Sequence, residues 1–127
     1  MTNEETRFNF EEELRRPFPY GTQSSQTVGD YLMSYGYKIK TMNLPARAKI
    51  LEIGSGYGTL AVYLAAIGFD VTCLDVSEAL LSFVRQRTSH LYLQVHTICG
   101  DMLTVEINEK FDAIVFFEAF HHCADHI

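Results

Sequence analysis

The chain has 127 residues, 47% hydrophobic and 20% charged, which allows one domain with a packed core and argues against disorder throughout. Its net charge of -6 argues against a nucleic-acid backbone as the main partner, because phosphate binding needs clustered Lys and Arg. The charged stretch Met1 to Arg16 has no apolar h-region, and no apolar run reaches membrane-spanning length, so neither a secretory signal nor a membrane span is expected.

Residues 1–24 mix charge with aromatics. Glu11-Glu12-Glu13 with Arg15-Arg16 suits a solvated helix turn. Pro17, Pro19 and Gly21 forbid a helix in the segment that follows. Residues 25–42 carry Val28, Leu32, Tyr35 and Ile39 at helical spacing, and Ser24, Ser25 or Thr27 can cap them. Pro45 closes this part, so the expected division is an N-terminal extension over 1–45 and a core over 46–127.

From Lys49 the pattern alternates. Ile50–Ile53 is a short strand and Thr59–Ile67 an apolar helix closed by Gly68. Phe69–Leu74 is a second strand, followed by a helix from Glu78 to about Arg87 that Ser77 can cap. Leu93–Cys99 and Ala113–Phe117 are the third and fourth strands. Nearly all-apolar strands alternating with helices imply an α/β fold whose parallel sheet is covered on both faces. Cys73, Cys99 and Cys123 are odd in number, which fits reduced thiols in a cytoplasmic protein better than a disulfide framework.

The run Glu52-Ile53-Gly54-Ser55-Gly56-Tyr57-Gly58 carries the chemistry. Glycine at every second position lets backbone approach a ligand, and the next helix points its first N–H groups there. Asp75 ends the second strand, where a carboxylate can accept both hydroxyls of a ribose; the plain alternative is an acid favoured by the dipole of the Ser77 helix. A dinucleotide site usually reads G-x-G-x-x-G. This loop reads G-x-G-x-G behind Glu52, whose charge repels a pyrophosphate and attracts an ammonium group. A zwitterionic sulfonium nucleoside therefore suits it better than a dinucleotide.

Those residues, with Leu74-Asp75, Gly100-Asp101-Met102 and Phe111-Asp112-Ala113-Ile114-Val115, resemble the class I S-adenosylmethionine-dependent methyltransferase family. The likeness runs from about Lys49 to Asp125. It implies a Rossmann-like sheet of strand order 3-2-1-4 with S-adenosylmethionine as cofactor and a small-molecule methyl acceptor. By that resemblance Gly54, Ser55, Gly56 and Gly58 lie under the methionine portion, and Glu52 orders the loop and the amino group. Asp75 holds the ribose, Val76 is a further cofactor-binding residue, Asp101 accepts from the adenine amino group, and Met102 packs beside the ring. Gly100-Asp101 after a strand is also a common turn.

Glu118 and the pair His121-His122 follow the fourth strand, where the family faces the transferred methyl group. Either histidine can serve as base for an acceptor, or the segment is only a polar loop at the sheet edge. Methyl transfer needs mainly alignment, so a dedicated base is not required. The cluster of His121, His122, Cys123 and His126 matches no closed four-ligand zinc site, and no metal is expected. Tyr20 can lie over the cofactor through its ring or clasp the domain by packing alone. The family normally carries three further strands; here the fourth strand is expected to be an exposed apolar edge, so that either the chain is a piece of a longer protein or the edge is covered by self-association or by the N-terminal helix. A non-catalytic nucleotide-binding domain and, less favoured by the loop spacing, an NAD-dependent oxidoreductase remain alternatives.

Overall fold

The computed structural model describes residues 10–16, 18 and 22–116. Eight elements follow in chain order: α1 (Phe10–Arg15), α2 (Ser25–Met42), β1 (Lys49–Ile53), α3 (Thr59–Ile67), β2 (Asp70–Asp75), α4 (Glu78–His90), β3 (His96–Cys99) and β4 (Ala113–Phe116). They fall into two compact units, Met1–Asn43 and Leu44–Ile127.

In the first unit, α1 is short and solvated, with Glu12 paired to Arg15 at 3.0 Å and to Arg16 at 3.4 Å. α2 begins where the sequence places it. Ser24 is the cap, accepting from Thr27 N–H, and left-handed Asn43 ends the helix. Of the expected stripe, Tyr35 is buried and Val28 and Ile39 are half-buried, and one position departs. Leu32 is exposed, and Tyr31 meets Tyr35 edge-on at 4.8 Å with their hydroxyls 3.2 Å apart. A tyrosine ladder at i, i+4 thus takes the inner position that the leucine was expected to hold.

The second unit is an all-parallel sheet of order β3-β2-β1-β4, the arrangement the resemblance implies. Ile50 stands opposite Val71 and Ala113, and Glu52 opposite Cys73 and Val115. Alternation puts Leu51, Ile53 and Leu74 on one face. Ile98, Met102, Val105, Ile107 and Phe111 pack over them. Ile98 is the β3 neighbour of Leu74, and the others come from the segment between β3 and β4, which carries no helix. Right-handed crossovers from β1 to β2 and on to β3 place α3 and α4 together on the opposite face, over Ile50, Val71 and Cys73. Those three residues are fully buried.

β1 differs from expectation by one residue at its start and β2 by one at each end, and two elements differ by three residues. α4 runs on to His90, and β3 starts at His96 rather than Leu93. The reason is local: Tyr92 takes a left-handed φ of 56° and Leu93 N–H returns to Thr88 O at 2.8 Å, so Leu93 still belongs to the helix end. At the other end of the sheet β4 is an edge strand, and Ile114 and Phe116 are about half exposed.

α4 is started by Ser77, whose hydroxyl accepts from Leu80 N–H at 3.2 Å. Ser77→Ala is expected to lower stability by about 1 kcal/mol in urea unfolding, the usual effect of losing an N-cap.

Candidate cofactor site

The order of strands reverses between β1 and β4, and in open α/β sheets ligands bind at the carboxyl ends of the strands flanking such a point. The loop leaving β1 there is Gly54–Gly58. Its three glycines all take left-handed φ, 75°, 55° and 78° in turn. A side chain at any of them is strained, so the alternating glycines follow from backbone shape. Gly58 has a second reason. A Cβ on it would stand 2.6 Å from Val84 Cγ2 and 2.9 Å from Cγ1, so α4 presses directly against the loop.

The loop is held on three sides. Gly54 N–H donates to Leu74 O at 2.8 Å, continuing the β1–β2 ladder. Gly56 N–H donates to Asp75 Oδ2 at 3.2 Å, and Ser77 N–H to Asp75 Oδ1 at 3.1 Å. Each carboxylate oxygen so receives one backbone N–H and keeps a further acceptor position. From α4, Arg87 Nη1 donates to Tyr57 O at 2.7 Å and to Thr59 Oγ1 at 3.0 Å.

Beneath the loop Glu52 is buried at 1% exposure, beside Cys73 across the β1–β2 register. Burial first, then the charges of Glu52 and Asp75, push the Cys73 thiol well above its ordinary value. It is a neutral core group and no nucleophile. Cys99 is exposed, and its thiol lies 3.6 Å from Val76 O.

The structure brings together most of the residues singled out in the sequence. Glu52, Gly54, Ser55, Gly56, Gly58 and Asp75 form one hydrogen-bonded loop region at the ends of β1 and β2. Val76 follows, exposed at 69% although apolar. Asp101 lies just past β3, where Gly100 N–H donates to Asp75 O at 2.9 Å. Its Oδ1 accepts from Leu103 N–H at 2.8 Å, and its main-chain oxygen accepts from Thr104 and Val105, so Asp101 starts a turn as well as offering an exposed carboxylate. Met102 is half-buried against Leu51, Ile53 and Leu74. Tyr20, Glu118, His121 and His122 lie outside the described residues. Among the described residues no cluster of His, Cys, Asp and Glu could hold a metal ion, and no helix is long and apolar enough to cross a membrane.

Reading the sequence alone missed the contributions of α4. Val84 and Arg87 lie one turn apart on its apolar face. The only signal was an arginine recurring at the spacing of Leu81 and Val84, which reads as a helix end.

A family described as a methyltransferase domain matches residues 50–127. The chain belongs to the class I S-adenosylmethionine-dependent methyltransferase family. A Bacillus subtilis (strain 168) protein provisionally assigned as a methyltransferase, YqeM, is 35% identical over 103 residues, 73% of this chain and 40% of that protein. The release factor glutamine methyltransferase of Streptococcus pneumoniae is 38% identical over 79 residues, 61% of this chain and 28% of that enzyme. The crystal structure of a TehB-like S-adenosylmethionine-dependent methyltransferase from Corynebacterium glutamicum superposes with a TM-score of 0.56 at 31% identity, covering 65% of this chain and 43% of that one. The chain thus spans less than half the length of these relatives.

Proposed function

We propose that the loop region at the ends of β1 and β2 binds S-adenosylmethionine, and that the protein takes part in methyl transfer to a small-molecule acceptor. The observation that carries this reading is the bond from Gly56 N–H to Asp75 Oδ2, which fixes the left-handed glycine loop to the carboxylate that would hold the ribose. The residues fit such a ligand on three counts. Asp75 has acceptor positions left for two hydroxyls. The first N–H groups of α3 have no side-chain cap, because Gly58 is the cap residue. Val76 offers apolar surface beside Asp75.

When bound, the cofactor supplies a methyl group on a sulfonium centre. The chain's own part is binding and alignment. A carboxylate at Glu52 suits an ammonium group and opposes a pyrophosphate. Gly54, Ser55, Gly56 and Gly58 give the backbone close approach. Asp75 accepts from the ribose, and Asp101 offers its exposed carboxylate to an adenine amino group, with Met102 beside the ring. A nucleophile aligned with the sulfonium then needs little further help, since orientation can supply most of the acceleration. His121 and His122 remain candidate bases for an acceptor proton, with Glu118 and Tyr20 as further cofactor contacts.

Amide chemical-shift mapping with S-adenosylhomocysteine tests the reading. The expected result is that Gly54, Gly56, Gly58, Val76 and Asp101 shift most, while Lys49 and Asp112 at the opposite end of the sheet stay in place. Shifts concentrated at that opposite end would refute the assignment.

A further inference from the structure

Two side chains fasten the glycine loop, Asp75 and Arg87, and of these only Asp75 would touch the ligand. Asp75 holds its first half through Gly56. The second half is held from α4 by Arg87, which is 9% exposed. One nitrogen of its guanidinium, Nη1, makes both bonds, to Tyr57 O and Thr59 Oγ1. The guanidinium carbon stands 5.9 Å from the centroid of the Phe83 ring, and that ring meets Tyr57 edge-on at 5.8 Å. Gly58, between the two anchored residues, rests on Val84. Phe83, Val84 and Arg87 thus grip three consecutive residues, Tyr57, Gly58 and Thr59.

Those residues are the junction from which the uncapped N–H groups of α3 emerge. A peptide unit there turns easily, because Gly58 has no Cβ to limit it. The carbonyl of Tyr57 belongs to the same rigid plane as the N–H of Gly58. Holding the carbonyl at 2.7 Å therefore fixes that N–H too, which donates to Ser55 O at 2.9 Å and closes the loop.

We infer that Arg87 is a positioning residue for the cofactor loop: from α4 it fixes the Tyr57–Gly58 peptide and the first residue of α3, and so sets the orientation of the N–H groups offered to the ligand. This rests on the S-adenosylmethionine reading above. Arg85, on the same helix, is the natural control. It bonds to Thr97 and Glu78 and to no residue of the loop.

The test is calorimetric titration of the 127-residue chain with S-adenosylhomocysteine, in the parent and in Arg87→Met, Arg87→Lys and Arg85→Met, with helix content checked by circular dichroism. Arg87→Met is expected to weaken binding about tenfold or more, the effect of one charge-assisted hydrogen bond. Arg87→Lys should fall between Arg87→Met and the parent, because its ammonium keeps the charge and donors but ends one bond short of Nη1. Arg85→Met should match the parent. A folded Arg87→Met that binds as tightly as the parent overturns the inference. Should Arg87→Met fail to fold, Arg87→Lys decides: binding weakened together with Gly58 exchange protection upholds the inference, and weakened binding with unchanged protection, or unchanged binding with lost protection, overturns it. If the parent binds no S-adenosylhomocysteine, the cofactor reading fails separately. Amide hydrogen exchange of ligand-free protein then judges the clamp: loss of protection at Gly58 in Arg87→Met upholds it, and unchanged protection overturns it.

Discussion

Gly58→Ala is expected to destabilise the fold by about 2–5 kcal/mol, with a lower urea midpoint at unchanged m-value. Two independent costs combine. A residue with a Cβ in the left-handed conformation costs about 1–2 kcal/mol, and Gly58 sits at φ 78°. Forcing a methyl group into packed surface costs about 1–3 kcal/mol more, and the new Cβ would lie 2.6 Å from Val84 Cγ2. Val84 is fully buried and cannot swing aside into solvent. The two costs are separable by a double-mutant cycle. Val84→Ala alone leaves a cavity and destabilises. Combined with Gly58→Ala it should recover about 1 kcal/mol or more relative to the sum, because the cavity receives the new methyl. Strictly additive losses would show that the clash is not the source, leaving backbone strain alone. Whatever binds at the loop, this outcome is fixed by how α4 lies against it.

Asp75→Ala is expected to separate affinity from stability. Its carboxylate is half-buried, with one oxygen on Gly56 N–H and the other on Ser77 N–H. Removing it frees the first half of the loop and deletes the proposed ribose acceptor together. Affinity for S-adenosylhomocysteine should fall by about 1–3 kcal/mol, roughly fivefold to 150-fold. Asp75→Asn should fall between mutant and parent. Its single carbonyl can serve one of the two N–H groups, while its amide donors oppose the other. Exchange protection of the Gly56 amide, measured without ligand, reads the loop half of the effect. Protection lost with affinity retained would assign Asp75 a purely structural role as the tie between loop and helix.

The parts of the molecule visible in the sequence are those whose cause is local. The strand–glycine–helix run from Ile50 to Ile67 announces itself because each feature answers a neighbour: apolar residues for a buried parallel strand, glycines for left-handed φ, an apolar run for α3. Asp75 and Ser77 are marked by position at the end of a strand and the start of a helix. Residues whose role comes from tertiary contact are not marked. Arg87 meets Tyr57 and Thr59 from a distant helix, and Val84 sets the limit on Gly58 from the same surface. Nothing within a few residues of either announces the contact. The exposure of Leu32 in α2 has the same origin, since spacing alone does not say whether Leu32 or Tyr31 is the more buried. β3 loses its first three expected residues to the turn at Tyr92, a non-glycine residue with positive φ that composition gives no reason to suspect. Asp101 forms the turn that Gly100-Asp101 suggests, through Oδ1, and its side chain is exposed past the end of β3.

Titration calorimetry of the 127-residue chain with S-adenosylhomocysteine and, separately, with NAD tests the cofactor assignment most directly. The left-handed Gly54–Gly58 loop, the buried Glu52 beneath it and the open acceptor positions of Asp75 predict one-to-one binding of S-adenosylhomocysteine and none of NAD. Binding of NAD with no heat from S-adenosylhomocysteine would contradict it.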